Sequence, residues 1–290
     1  VAANAGLATV SHEGTLAYRP GGTSNARQMV WLDHEGKELG TIGELVERGL
    51  RNVSLSPDDR QVASIVSAND NLDVWVYDTA RGTRTRLTFG PEWDDAPEWS
   101  PTGDRIVHDL RPSTGGLAGS KLLVRRADGT GAVDTVTTGF IASFTPDGRH
   151  LTYNVIVASG GNLMEIPLDE PRTPRLLVHG NPIATVGRVR AAGDLMAYMS
   201  NESGHWEVFL TRYPSCEGKW QVSTAGGQWP RWNGKGDRLY FVQGAEVMGV
   251  SVEGSASPTL GTPKALFRRT SVGIGNNDLE PQFAVTRDGQ

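Results

Sequence analysis

Short stretches in which apolar and polar residues alternate recur along the chain. Residues 73–78 (Asp-Val-Trp-Val-Tyr-Asp) and 206–210 (Trp-Glu-Val-Phe-Leu) have the two-residue period that is typical of a β-strand with one buried face. An apolar stripe with the 3.6-residue period of an amphipathic helix is not found anywhere in the chain. The pattern therefore predicts an all-β protein built from many short strands.

A turn of the Ser-Pro-Asp-Gly-Arg type repeats between these strands. Its glycine, or the residue that replaces it, falls at positions 14, 59, 103, 148, 193, 236 and 289, so five successive spacings are 43–45 residues and the last is 53. Each turn follows a short apolar segment and precedes a strand. A third, alternating strand and a short fourth strand then complete the unit. The repeats start near residues 6, 51, 96, 141, 186 and 229, and residues 281–290 form a partial repeat.

Four short antiparallel strands every 40–50 residues are typical of the blades of a β-propeller. One four-stranded blade cannot bury both of its faces, whereas a ring of blades buries them and leaves few exposed edges. We therefore predict one all-β domain over residues 1–290, a six-bladed β-propeller of four-stranded antiparallel blades around a central tunnel. Two arrangements of the chain ends stay open. Either the ends pair to close the ring, or a further blade is divided between sequences outside both ends.

Several repeats resemble a known family. Residues 99–107 (Trp-Ser-Pro-Thr-Gly-Asp-Arg-Ile-Val), 144–149 (Phe-Thr-Pro-Asp-Gly-Arg) and 55–60 (Leu-Ser-Pro-Asp-Asp-Arg) are similar to the WD-like repeats of TolB-type six-bladed propellers. Residues 73–88 and 199–209 are most similar to propellers fused to bacterial serine/threonine protein kinases. The resemblance implies the sensor or scaffold part of a larger bacterial protein.

Composition narrows the range of partners. The 28 Lys and Arg against 33 Asp and Glu give a net charge of −5, which argues against a nucleic-acid partner held by phosphate contacts. The single Cys216 excludes an intramolecular disulfide and a thiolate metal cage. There is no apolar run of membrane-spanning length and no basic, then apolar, N-terminal segment. We expect no membrane insertion, and the choice between periplasm and cytoplasm stays open.

Catalytic motifs are missing from the sequence. It contains no Gly-x-Ser-x-Gly, no Gly-x4-Gly-Lys-[Ser/Thr], no His-Glu-x-x-His and no Cys-x-x-Cys. These absences favour a non-catalytic binding, sensor or scaffold function over an enzyme, and they give no reason to expect a cofactor. We expect a monomer or one part of a larger multidomain chain.

One polar position recurs in every predicted innermost strand, two places before the first residue of the turn. The residues at this position are Thr9, Ser54, Glu98, Ser143, Arg188 and Arg231. Innermost strands flank the tunnel of a propeller, so these residues are predicted to form a ring that binds a ligand. The structural alternative is that they pack between blades and that Glu98 pairs with an arginine.

Loops that enter the innermost strands are predicted to bring a second set of side chains to one mouth of the tunnel. They supply Trp93, Asp94, Asp95, Trp229 and Glu280. The expected ligand is a protein, a peptide or a small molecule. Converging carboxylates suit Ca²⁺. The resemblance to folds that hydrolyse lactones or organophosphates with such a site implies the alternative function, a calcium-dependent hydrolase of lactones, organophosphates or other phosphoesters.

Overall fold

The structure is a computed structural model. It describes residues 10–11, 14–21, 26–33, 36–46, 49–68, 71–112, 116–158, 160–180 and 183–268, and the side chains of residues 10–21 are outside the description. Every regular element in these ranges is a β-strand. Within them, the chain has no helix that is long and apolar enough to cross a membrane.

The strands form six sheets, each from consecutive strands. Sheet 1 contains β1 (Val10–Ser11), β2 (Gly14–Gly21), β3 (Ala26–Leu32) and β4 (Glu38–Val46). Sheet 2 contains β5 (Arg51–Leu55), β6 (Gln61–Ala68), β7 (Asn71–Asp78) and β8 (Arg84–Arg86). Sheet 3 contains β9 (Trp93–Trp99), β10 (Arg105–Arg111), β11 (Lys121–Arg126) and β12 (Asp134–Thr138).

The second half of the chain repeats this arrangement. Sheet 4 contains β13 (Phe140–Phe144), β14 (His150–Val157), β15 (Gly160–Pro167) and β16 (Arg175–Val178). Sheet 5 contains β17 (Ala184–Val189), β18 (Leu195–Ser200), β19 (Glu207–Arg212) and β20 (Trp220–Gln221). Sheet 6 contains β21 (Gln228–Trp232), β22 (Arg238–Gln243) and β23 (Glu246–Glu253), and both β24 (Thr259–Leu260) and β25 (Lys264–Arg268) pair with β23.

Neighbouring sheets pack face to face and bury apolar side chains between them. Trp99 Nε1 of sheet 3 donates a hydrogen bond to the Ser54 carbonyl of sheet 2 at 2.9 Å. At the matching position of sheet 6, Trp232 Nε1 donates to the Arg188 carbonyl of sheet 5 at 2.9 Å. The prediction of an all-β propeller of four-stranded antiparallel blades is confirmed. All four strands are described with side chains in five of the sheets, and in sheet 1 only β3 and β4 are.

The repeated turn has the backbone that its sequence requires. The residue at its glycine position has a positive φ of 61–73° in five repeats: Asp59, Gly103, Gly148, Gly193 and Gly236. In each turn its amide donates to the carbonyl three residues earlier, as Gly148 does to Thr145 at 2.8 Å. Glycine adopts this left-handed conformation without strain, so the turn persists where Ser-Pro-Asp is replaced.

Replacing Gly148 with valine is expected to lower the free energy of unfolding by about 1–3 kcal/mol, because a β-branched residue is strained at a φ of +67°. The effect arises from the backbone and not from crowding, since a Cβ atom at Gly148 would lie 3.6 Å from its nearest neighbour, Arg105 Nη2. Urea unfolding measures the change. Gly40→Val is the control, because Gly40 lacks the left-handed φ and a Cβ there meets nothing within 4 Å. Equal stability of the two variants would contradict the turn assignment.

Candidate functional site

Each innermost strand of sheets 2–6 contains a bulge at the same place. The bulged residue has a positive φ of 48–58° and is not glycine in any of the five: Asn52, Ala96, Ile141, Val186 and Trp229. The pairing register with the second strand shifts at the same point in every sheet. Left-handed backbone at Ile141 and Val186 is strained, because both residues are β-branched. A conformation that costs energy in five sheets requires compensation from its surroundings.

Side-chain acceptors bind the amides of three bulged residues. The Ile141 amide donates to both carboxylate oxygens of Asp109 in sheet 3, each at 3.0 Å. The Val186 amide donates to Asn154 Oδ1 of sheet 4 at 3.3 Å. The Ala96 amide donates to the neighbouring Asp95 at 2.8 Å. The hydrogen bonds of the Ile141 and Val186 amides also connect one sheet to the next.

Four of the bulged residues bring their side chains into one buried apolar cluster, although they come from four different sheets. We call this set the apolar layer; it consists of Ala96, Ile141, Val186 and Trp229, none more than 7% exposed. Because consecutive sheets contribute equivalent residues, the layer lies where the innermost strands converge.

The predicted polar ring follows two residues later on the same strands, and three of its members meet. Glu98 of sheet 3 accepts hydrogen bonds from Arg188 Nη2 of sheet 5 at 3.3 Å and from Arg231 Nη1 of sheet 6 at 3.4 Å. We call Glu98, Arg188 and Arg231 the axial group, since it joins sheets that are not neighbours in the chain. Ser54 and Ser143 occupy the equivalent positions of sheets 2 and 4 and are also buried.

The axial group carries two positive charges and one negative charge. The side chains of both arginines are 7% exposed and that of Glu98 is 19% exposed. Burial, reinforced by the neighbouring charge of Arg231 and opposed by Glu98, lowers the pKa of Arg188 to about 9. Arg188 therefore remains protonated at neutral pH. Its Nε and Nη1 atoms are buried and have no hydrogen-bond partner within the described residues.

A second charged cluster surrounds Asp95, the residue directly before Ala96 on β9. The Asp95 carboxylate is 3.0 Å from Arg111 Nη1 and 3.6 Å from Arg51 Nη2, and it accepts a hydrogen bond from Asn52 Nδ2 at 2.5 Å. Its side chain is 0% exposed. Asp95 thus pairs with arginines of sheets 2 and 3 and joins the two sheets.

Asp94 belongs to a separate buried polar cluster. Arg125 Nε donates a hydrogen bond to His108 Nε2 at 3.1 Å. The other ring nitrogen of His108, Nδ1, lies 3.0 Å from Asp94 Oδ1. The sequence analysis missed His108 and Asp109. Their position could have indicated them, because they are two adjacent polar residues within the apolar strand 105–111. Polar groups that are buried in a strand need specific hydrogen-bond partners.

The calcium alternative finds no support among these side chains. Within the described ranges, no group of three or more His, Cys, Asp or Glu side chains is arranged to hold a metal ion. Asp94 and Asp95 are occupied by histidine, arginine and asparagine partners. Glu280, the remaining predicted carboxylate at the mouth, lies outside the described residues.

Four predicted mouth residues lie in strands, so their placement in loops was wrong. Trp93, Asp94 and Asp95 belong to β9, and Trp229 belongs to β21. The bulge explains the difference, because it lets the strand continue through a residue with left-handed backbone. Trp229 is 5% exposed within the apolar layer, whereas Trp93 is half-buried beside the core of sheets 2 and 3. Thr9 of the ring lies outside the described residues.

The buried carboxyl of Asp109 is expected to make stability depend on pH. Burial raises its pKa from 3.8 to about 7, against the opposing influence of Arg111, while the charge of Asp95 raises it further. Between pH 4 and 7 the folded state therefore binds a proton that the unfolded state has lost, so this group's contribution to stability falls as pH rises.

Asp109→Asn removes this titration and keeps the shape of the side chain. The stability of the wild type relative to this variant should decrease by a few kcal/mol from pH 4 to pH 7, since one pKa unit corresponds to about 1.4 kcal/mol. Urea midpoints of both proteins at several pH values measure the difference. A constant difference over this range would contradict the raised pKa.

Comparison with known proteins identifies the fold. No protein-family model matches the sequence, and no curated protein matches it. Among solved structures, the chain is similar to a TolB from Agrobacterium tumefaciens, with 14% identity, a TM-score of 0.63 and coverage of 77% of this chain and 82% of that chain. It is also similar to TolB from Acinetobacter baumannii, with 15% identity, a TM-score of 0.62 and coverage of 92% and 66%.

The tricorn protease is a third similar structure, with 12% identity and a TM-score of 0.66. The match covers 95% of this chain and 27% of that protein, so this chain spans about a quarter of its length. At these identities the likeness concerns the fold alone. The chain has a TolB-like β-propeller fold.

Proposed function

We propose that this propeller is a non-catalytic binding module, a sensor or scaffold whose ligand contacts the axial group. The observation that carries the proposal is the guanidinium of Arg188, which is buried at the convergence of the sheets with Nε and Nη1 unpartnered within the described residues. Buried donors without partners cost free energy, and a bound ligand supplies the missing acceptors. The ligand classes that suit the site are a protein, a peptide or a small molecule.

A closed ring of six blades is part of the same proposal. Contact between Glu98 of sheet 3 and Arg231 of sheet 6 supports it, because these sheets face each other across the axis of a six-membered ring. Packing of sheet 6 against sheet 1 also supports it: Val247 and Phe267 share a buried apolar cluster with Val30 and Leu32.

The ligand approaches from the face that carries the repeated turns. In sheets 3–6 the innermost strand passes from the apolar layer to the polar-ring position and then directly into its turn, as β9 does from Ala96 through Glu98 to the turn at residues 100–104. The apolar layer therefore precedes the axial group on these strands. The exposed fifth of the Glu98 side chain indicates that solvent reaches the group.

A larger host protein fits this function. The resemblance of residues 73–88 and 199–209 to propellers fused to bacterial kinases favours a sensor or scaffold that reports to another domain. The host is proposed on that resemblance.

The test is a binding screen with a counter-screen. The folded chain is screened by thermal shift against peptides and small molecules of positive, neutral and negative charge. Each ligand found is then titrated into Arg188→Gln/Arg231→Gln and into Arg81→Gln, whose parent side chain is 80% exposed on an outer edge. The proposal predicts ligands that bind the wild type and Arg81→Gln but not the double variant. Ligands that bind all three proteins equally would contradict an axial site.

A further inference from the structure

We propose that the group bound at the axis is an oxyanion, a carboxylate or phosphate group of the ligand held by the guanidinium of Arg188. This inference rests on the proposed binding function and specifies the chemistry of its site. It uses the charges and the hydrogen-bonding capacity of the axial group, which point to the same class of ligand.

The charge of Arg188 is only partly balanced by its surroundings. Among the described residues, Glu98 is the only carboxylate within ion-pair distance of Arg188, and the same carboxylate also lies 3.4 Å from Arg231 Nη1. The low-dielectric surroundings strengthen the attraction of the Arg188 guanidinium for a further anion. A cation would meet the repulsion of this guanidinium.

Hydrogen-bonding capacity favours the same ligand. A guanidinium has five N–H donors and no acceptor, so only an acceptor satisfies it. Glu98 receives one bond from Nη2, whereas Nε and Nη1 of Arg188 have no partner within the described residues. Carboxylate and phosphate oxygens make short charge-assisted bonds with guanidinium groups, often two at a time.

The lowered pKa of Arg188 is consistent with this assignment. Arg231 is among the causes of the shift, because two like charges are close together in a buried site. A bound oxyanion relieves the repulsion between them. The group therefore gains more from a second negative charge than an exposed arginine pair would.

The oxyanion inference is tested by calorimetric titration of the whole folded chain with sodium phosphate and, separately, with sodium acetate at constant ionic strength. We expect one anion per chain for at least one of the two salts. A preference for phosphate or for acetate then assigns the ligand group as a phosphate or a carboxylate. If neither anion binds the wild type, the inference is overturned.

Two variants of Arg188 place the anion. Arg188→Gln should weaken anion binding at least tenfold, whereas Arg81→Gln, which changes the net charge equally, should change it less than twofold. Arg188→Lys keeps the charge and loses the planar donors, so it should weaken binding at least threefold. If Arg188→Gln does not fold by circular dichroism, Arg188→Lys decides. Equal effects of Arg188→Gln and Arg81→Gln, or wild-type affinity in Arg188→Lys, would overturn the assignment.

The screen described for the binding function separates the two proposals. A neutral or cationic ligand that loses binding in Arg188→Gln/Arg231→Gln, together with a wild type that binds neither phosphate nor acetate, would end the oxyanion inference and leave the binding function intact. Ligands that bind all variants equally would end the binding function and the inference that rests on it.

Discussion

Glu98→Ala is expected to lower the free energy of unfolding by about 3 kcal/mol, because it leaves the two buried arginines of the axial group without their shared carboxylate. This loss is at the lower end of the range observed when one partner of a buried ion pair is removed, because 19% of the Glu98 side-chain surface is exposed to solvent. Urea unfolding at low ionic strength gives the value. Glu92→Ala removes an exposed carboxylate from the preceding loop and should change stability by less than about 0.5 kcal/mol.

The same variant connects stability to binding. If an oxyanion occupies the axial group, sodium phosphate or acetate should restore part of the stability lost in Glu98→Ala, whereas sodium chloride at equal ionic strength should restore less. Equal stability of Glu98→Ala and Glu92→Ala in every salt would mean that the three axial side chains do not interact as described.

Asp95→Ala is expected to lower the free energy of unfolding by about 3–5 kcal/mol, because several buried donors share the Asp95 carboxylate as their acceptor and would all lose it. Arg111 Nη1, Asn52 Nδ2 and the Ala96 amide all contact the Asp95 carboxylate. The amide also belongs to a residue with left-handed backbone, so the bulge of sheet 3 loses its compensation. Thermal and urea unfolding measure the loss.

Asp128→Ala is the control for that variant. Asp128 also pairs with an arginine, Arg126 at 2.9 Å, but its side chain is 50% exposed. Water and dissolved ions screen exposed pairs, so the control should remain close to the wild type in stability. If both variants lose equal stability, burial does not set the strength of the Asp95 interactions.

The turns were predictable because their chemistry is local. Ser56 Oγ accepts the Gln61 amide at 2.9 Å, and Asp58 accepts the Arg60 amide at 3.2 Å, so residues five or fewer apart fix the conformation. Counting back from these turns along each strand also found Glu98, Arg188 and Arg231. These three residues meet because sheets 3, 5 and 6 bring the same position of their innermost strands together.

The bulges were not predictable because they contradict local preference. Val186 and Trp229 adopt a conformation that favours glycine, and contacts with other sheets compensate for the strain: both side chains pack in the apolar layer, and the Val186 amide also donates to Asn154 Oδ1. The sequence analysis therefore began the innermost strands too late and placed Trp93 and Trp229 in loops. Partners 32 or 43 residues apart, such as Asp109 with Ile141 and Asn52 with Asp95, leave no pattern within one repeat.

A crystal structure of the chain soaked in selenate shows whether an oxyanion binds at the axial group, because selenate is a tetrahedral oxyanion whose selenium scatters anomalously. We expect an anomalous peak at the axis, with selenate oxygens within about 2.7–3.2 Å of Arg188 Nε or Nη1, and no such peak in crystals of Arg188→Gln. Selenate peaks at exposed arginines of the outer strands, together with an axial group that holds none, would contradict it.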